Sequence, residues 1–314
     1  MRGTFRISRG ARTETPTIIT EIEQGTAVGR AECVPYPRYG ESIDSVLAEI
    51  EGLRPALEGG LQRDALQDAL PAGAARNAID CALWDLEAKQ SGKRAWELAG
   101  IDPPLPVISA MTLSLDTPQK MSEAARASAH LPLLKLKVTG EGDLERVQAV
   151  RAGAPNSRLI VDANEGWRPE MLDSLLPDLA ALGVEMVEQP LPAAEDDALL
   201  GRDLAIPVCA DEACHTRADL DRLEGRYPMI NVKLDKSGGL TEALALVQEA
   251  RARGFEIMVG CMVGSSLAMA PALLLTPFAD YVDLDGPLLL ARDCQPGLRY
   301  DGVMVHPPEA ELWG

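Results

Sequence analysis

LIVDAN (159–164), VEMVEQP (184–190) and IPVCADE (206–212) each run from an apolar stretch into an acidic residue: Asp162, Glu188 and Asp211. Asp162 and Glu188 lie 26 residues apart, and Glu188 and Asp211 lie 23 apart. That spacing is the length of one strand, one helix and two loops, so the carboxylates recur once per βα unit. In a parallel barrel, successive strand ends converge on one face of the ring. Three converging carboxylates repel one another unless a cation sits between them, and all-oxygen ligands favour Mg²⁺.

Outward from this core, strand-like runs fall at 106–115, 133–138, 158–162, 184–188, 206–210, 229–233, 255–260 and 281–284. Helical stretches such as DLERVQAVRAG, MLDSLLPDLAALG, RADLDRLEG and LTEALALVQEARARG lie between them, several ending in Gly. Eight such alternations predict a parallel sheet closed as a (β/α)8-type TIM barrel. An open doubly wound sheet is the structural rival, but no GxGxxG or Walker-type loop accompanies it. Upstream the rhythm differs. TFRISRG and TPTIITEIEQG predict a hairpin or meander, and SIDSVLAEIEGLRPALE predicts a helix. ARNAIDCALWDLEAKQSGKRAWELAG places Ile79, Leu83, Trp84 and Leu86 at helical spacing and predicts an amphipathic helix ending at Gly100. IDPPLP makes a boundary. The expected organisation is therefore an α+β capping domain over 1–104 and a barrel over 105–290, with 291–314 packing back on the cap.

The second barrel strand reads LLKLKV. Lys135 and Lys137 are two apart, so both ammonium groups point to the same side. Helices cover the outside of a parallel barrel, which leaves its interior or mouth. Two adjacent ammoniums near a cation each disfavour protonation of the other and lower a lysine toward a usable base. The sixth strand ends MINVKLDKSGG and supplies Lys233, 22 residues past Asp211. In a closed ring the second and sixth strands face each other, so Lys137 and Lys233 would oppose each other over the metal. Two opposed bases suit removal of a proton from one face of a carbon and delivery to the other, which inverts a stereocentre.

Bulk properties agree with an enzyme. The chain has 314 residues and 46% hydrophobic content, enough for a large core. A formal net charge of −18 argues against nucleic-acid backbone binding. No apolar stretch reaches membrane-spanning length, and MRGTFRISRG has no signal-peptide character, so no membrane partner and a cytoplasmic location are expected. The six cysteines are scattered without metal-site spacing and read as reduced, buried thiols. His130, His215 and His306 are too dispersed for a histidine metal site, and His215 is expected to serve a polar loop.

KLK, DANEGW, VEQPL, ADE and NVKLDKSGGL, in this order, resemble the muconate-lactonising branch of the enolase superfamily along essentially the whole chain. The resemblance implies the modified (β/α)7β form of the barrel under an N-terminal cap. It implies Asp162, Glu188 and Asp211 as ligands of one Mg²⁺, with Mn²⁺ as a substitute, and Lys137 and Lys233 as the acid/base pair. Lys135 would contact the substrate carboxylate and lower the pKa of Lys137. Such sites use a base with Mg²⁺ stabilising an ene-diolate. Asn164 and Gln189, beside the ligands, are expected to support them.

YVDLDGPLL places Asp283 and Asp285 two apart at the eighth strand. In the dipeptide epimerases of this family, a DxD here binds the substrate's free ammonium, by charge-assisted hydrogen bonds; otherwise one Asp caps the turn before Gly286–Pro287. ECVPYPRYGES resembles the mobile loop of alanyl-glutamate epimerases, so Arg38 would pair with a glutamate side chain. Thr112, Cys261, Met262 and Ser265 are expected to line the pocket. The reading is an Mg²⁺-dependent epimerase of a small dipeptide, L-Ala-D/L-Glu, serving peptidoglycan peptide breakdown, and a homo-oligomer is compatible with it. N-acylamino acid racemase and o-succinylbenzoate synthase are rivals on the same scaffold, and a non-catalytic binding barrel is the rival from another class.

Overall fold

Eight short parallel strands, each hydrogen-bonded to the next in chain order, form the central sheet. They are Met111–Leu113, Leu133–Lys137, Arg158–Asp162, Val184–Glu188, Val208–Ala210, Met229–Val232, Glu256–Gly260 and Tyr281–Asp283. The computed structural model describes residues 1–314. The first and eighth strands meet at a narrow seam, where Ala110 N donates to Val282 O at 2.8 Å and Leu284 N donates to Ser109 Oγ at 2.8 Å. Outer helices include Pro118–Ala127, Asp143–Gly153, Pro169–Ala181 and Leu240–Ala252.

The interior is layered by the two-residue period of a strand. A floor of Ala110, Leu133, Ile160, Met186, Cys209, Met229 and Met258 fills the barrel axis. Two residues further along each of those strands stand Thr112, Lys135, Asp162, Glu188, Asp211, Asn231 and Gly260. Alternation therefore aims the polar layer at the same interior that the apolar floor seals from below. Gly260 is required there, because a Cβ would lie 2.5 Å from Asn231 Oδ1. Another step up the second strand brings Lys137.

The cap differs in detail from expectation. TFRISRG and TPTIITEIEQG do not pair with each other. Phe5–Ile7 pairs with Gly10–Arg12, and Ile18–Gln24 pairs with Ala27–Cys33. AVGRAEC carries little β-branched character, so its strand escapes a propensity reading. Packing holds it instead: a Cβ on Gly29 would stand 2.1 Å from Ala82 O of the helix lying across it. The long helix expected up to Gly100 is two, Ala74–Ser91 and Ala95–Ala99, divided where Gly92 takes φ 66°. The run 106–115 also divides. Val107–Ile108 pairs with Met304–Val305, and only Met111–Leu113 joins the barrel. RADLDRLEG forms just a 3₁₀ turn and one α-helical turn, Leu220–Leu223.

The C-terminal segment docks on the cap. Trp313 is fully buried and donates from Nε1 to Cys81 O at 3.1 Å, while Gly314 N donates to Asp85 Oδ1 at 2.8 Å. Removing such an indole leaves a cavity, so Trp313→Ala should lower the unfolding free energy by about 3–5 kcal/mol. A urea titration checks this; an unchanged midpoint would mean that the segment contributes nothing to the cap.

Candidate active site

Strand register brings the sequence-selected residues together at the barrel mouth. Lys137 is the register partner of Asp162, Asp162 of Glu188, and Glu188 of Cys209, two residues before Asp211. Asp162, Glu188 and Asp211 are fully buried. Lysines meet them from both sides. Lys135 Nζ lies 2.5 Å from Glu188 Oε2, 2.7 Å from Asp283 Oδ2 and 3.2 Å from Asp162 Oδ2. Lys137 Nζ lies 2.5 Å from Asp162 Oδ2, and across the ring Lys233 Nζ lies 2.6 Å from Asp211 Oδ2.

This packing sets the electrostatics. Burial pushes Glu188 up to about 7, and repulsion from Asp162 adds to the rise. Burial would also raise Asp162 and Asp211, but adjacent ammoniums outweigh it and hold both below the ordinary carboxylate range. The expected depression of lysine basicity by paired ammoniums is not what governs Lys135. Burial lowers it, yet Asp283, Glu188 and Asp162 outweigh burial and hold it well above the usual lysine value. Lys233 is raised in the same way by Asp211 and Glu188.

The carboxylate oxygens are turned toward ammonium groups rather than drawn to one common point. Their chemistry nevertheless suits a hard divalent cation. All the donors are oxygens, and the three side chains stand on adjacent strands. Glu188 Oε2 is buried and met only by the Lys135 ammonium at 2.5 Å, while Glu188 Oε1 accepts from Asn231 Nδ2 at 2.7 Å. A buried carboxylate is costly unless positive charge meets it; ammonium groups meet these oxygens here, and a divalent cation would satisfy the same demand.

The loops after the carboxylates are strained. Asn164, Glu165 and Gln189 are non-glycine residues at φ 45°, 65° and 34°. Asn164 N donates to Asp162 Oδ1 at 2.9 Å. Gln189 Oε1 accepts from Asp211 N at 2.8 Å and Ala213 N at 3.0 Å, which fixes the loop carrying Asp211. Asn164 therefore touches the carboxylate it neighbours in sequence, whereas Gln189, next to Glu188, holds the segment that carries Asp211.

A cavity of about 60 Å³ opens over Lys137, Lys233 and Asp211, with Cys261, Met262 and Asn164 in its wall. Asp283 Oδ1 is buried without a partner. Asp285 Oδ2 accepts from Thr112 N at 2.7 Å, so Thr112 acts here through its backbone. Asp285 occupies the position before the turn Gly286–Leu289, but its side chain makes no capping hydrogen bond to that turn. Burial first, then Asp283, pushes Asp285 up to about 7. Ser265 lies outside this cavity, with its amide donating to Glu32 Oε1 at 2.9 Å. His215 meets Tyr39 edge-on, with ring centroids 4.6 Å apart.

Arg38 stands away from the cavity. Its Nε and Nη2 both donate to Glu165 at 2.8 Å, closing the guanidinium fork on the barrel loop. The arginines that do line the cavity are Arg9 and Arg12 of the first hairpin, joined by Tyr36 and Tyr39. Arg9 is engaged by Glu212 at 2.6 Å and Glu165 at 3.2 Å, whereas Arg12 makes no ion pair and lies 5.6 Å from the Tyr36 ring. Sequence reasoning missed them because local pattern does not tell where a terminal hairpin docks. Lys236 was also missed, although its three-residue step from Lys233 is a helical spacing. Its Nζ reaches Asp211 Oδ1 at 2.7 Å and Asn231 O at 2.9 Å.

Residues 1–100 match the mandelate racemase / muconate lactonizing enzyme N-terminal domain, and residues 120–311 match the enolase C-terminal domain-like family. The chain is 50% identical to the L-Ala-D/L-Glu epimerase of Escherichia coli K12 over 304 residues, covering 96% of this chain and 95% of that protein. It is 47% identical to an N-acetyl-D-glutamate racemase of Pseudoalteromonas over 299 residues, covering 95% of each. Among solved structures, it is similar to an Agrobacterium tumefaciens enolase family member with homology to dipeptide epimerases, solved with sodium and L-Ala-L-Glu. The TM-score is 0.97 at 50% identity, covering 99% of this chain and 96% of that one. With both domains matched and the barrel's acidic and lysine layer in register, the chain belongs to the mandelate racemase / muconate lactonizing enzyme family of the enolase superfamily.

Proposed function

We propose that this protein is an Mg²⁺-dependent dipeptide epimerase that moves a proton between the two faces of the C-terminal residue's α-carbon, with L-Ala-D/L-Glu as substrate. The carrying observation is the opposition of Lys137, ending the second barrel strand, and Lys233, just past the sixth, across a buried carboxylate layer. Asp162, Glu188 and Asp211 would hold the cation. When bound, Mg²⁺ supplies positive charge where the substrate carboxylate gains negative charge as the α-proton leaves. Lys135, set among the same oxygens, adds a second positive group there. One of Lys137 and Lys233, as the neutral amine, takes the α-proton; the other, as the ammonium, returns one to the opposite face. The net charge of the pair is unchanged, and a second turnover can run the other way. The floor of apolar side chains and the cap over the mouth keep bulk water from competing.

Asp283 and Asp285 are proposed to hold the substrate's free ammonium. The buried Asp283 Oδ1 without a partner supports this, since such an oxygen gains most from an incoming donor. Arg12, the cavity arginine without an ion pair, is proposed to receive the glutamate side chain; this replaces Arg38, whose fork is closed on Glu165. N-acetylglutamate racemisation is the second reading. Asp283 Oδ2 is already met by Lys135 at 2.7 Å, which an N-acyl substrate would leave undisturbed. The unpartnered Oδ1 favours the dipeptide. No helix of the protein is long and apolar enough to cross a membrane. We place the reaction in the cytoplasm, on peptides released from peptidoglycan; six free cysteines fit a reducing compartment.

In D₂O with Mg²⁺, Lys233→Ala and Lys137→Ala should each stop epimerisation, by roughly 10²–10⁴-fold or more. Each should keep α-proton exchange with one epimer only, and the two variants should keep opposite epimers. Exchange of both epimers by either variant, followed by NMR, would remove the two-base assignment. Asp285→Asn should lower kcat/KM for L-Ala-D-Glu by roughly 10–100-fold, the worth of one charge-assisted hydrogen bond, and change the rate on N-acetyl-D-glutamate little. An equal loss on both would sink the ammonium role.

A further inference from the structure

The two opposed lysines are held by different parts of the molecule. Lys137 ends a barrel strand, and the turn after it is held from within the barrel. Asp143 accepts there from Thr139 N at 3.0 Å, Gly140 N at 2.6 Å and Trp167 Nε1 at 2.8 Å. Lys233 instead opens a short helical turn, Leu234–Ser237, in which Lys236 N and Ser237 N both donate to Lys233 O at 3.0 Å. The direction of Lys233 therefore follows the placement of that turn.

The capping domain grips the turn. Asp235 Oδ1 accepts from Val34 N at 3.0 Å and from Asn77 Nδ2 at 2.8 Å. Arg76 donates to Ser237 O at 2.7 Å and Gly238 O at 3.1 Å. The approach is close enough to exclude side chains. A Cβ on Gly238 would lie 2.4 Å from Arg76 Nε, and one on Gly239 would lie 2.5 Å from the Asp80 carboxylate. Both glycines also hold left-handed φ, 77° and 111°. Asn77 and Asp235 are buried and do not line the cavity between the lysines, so neither is placed to touch the reacting atoms.

We propose that Asn77 and Asp235 are positioning residues for Lys233, so that the cap sets the geometry of proton transfer on one face of the substrate carbon only. The inference rests on the two-base reading above and adds an asymmetry to it. A base displaced by about 1 Å can lose on the order of 10²-fold in rate. The barrel-held Lys137 has no such dependence on the cap.

The test follows α-proton exchange in D₂O for each epimer separately, with Lys233→Ala identifying the epimer whose exchange needs Lys233. Asp235→Ala and Asn77→Ala, quantified per folded protein by circular dichroism, should lower that epimer's exchange by roughly 10–100-fold, as loss of an orienting partner does elsewhere. The other epimer should exchange near the wild-type rate. Asp235→Asn keeps an acceptor oxygen for both donors and should recover most of the lost exchange. Equal loss for both epimers, or no loss for either, would overturn the proposal while leaving the two-base reading intact. If Lys233→Ala itself exchanges both epimers, the two-base reading falls and takes this proposal with it.

Discussion

Asp162, Glu188 and Asp211, buried on three adjacent strands, impose the constraint from which the rest of the site follows. Desolvating each carboxylate costs several kcal/mol, and mutual repulsion adds to it. Positive charge must stand within reach or the layer would protonate; burial and the neighbouring Asp162 push Glu188 up to about 7. Lys135, Lys137, Lys233 and Lys236 surround the layer with their ends within hydrogen-bonding distance of it. A cation bound among these oxygens would compete with the ammoniums for them. That competition would ease the lysines toward neutrality, the form in which one of them can accept a proton.

The strand period converts this electrostatic demand into architecture. Sealing the barrel axis with Leu133, Ile160, Met186, Cys209 and Met229 forces the residues two steps later into the same interior. The polar layer is thus one consequence of the register that places the floor, and Gly260 leaves space for Asn231 to support Glu188. The cap then closes the mouth. Its hairpin brings Arg9 and Arg12 over the cavity, and its long helix reaches the turn behind Lys233. On the proposed reading, the barrel supplies the chemistry and the cap's hairpin receives the substrate's side chain.

Much of this was legible in the sequence because it depends on local period. Lys135 and Lys137 share a face, each acidic residue follows an apolar run, and the strands from 133 to 283 fall close to where the pattern puts them. What escaped depends on docking between distant segments. Ala27–Cys33 has weak strand propensity and is held by a helix fifty residues on. The run 106–115 reads as one mostly apolar strand, yet its first half leaves the barrel to pair with the C-terminal hairpin. Arg38 sits on a Pro- and Gly-rich loop whose chemistry suggested a substrate contact; only the fold shows Glu165 waiting for its fork. Arg12 carried no local mark that distinguished it from any surface arginine.

The central claim is that the proton removed from one face is not the proton delivered to the other. Epimerisation of α-protiated L-Ala-D-Glu in D₂O, stopped at early conversion and read by mass spectrometry, tests it directly. Two separate lysines predict that the product epimer carries solvent deuterium at the α-carbon from the first turnover. Product formed early with the substrate's own α-proton retained would mean that a single base serves both faces, and would contradict the account.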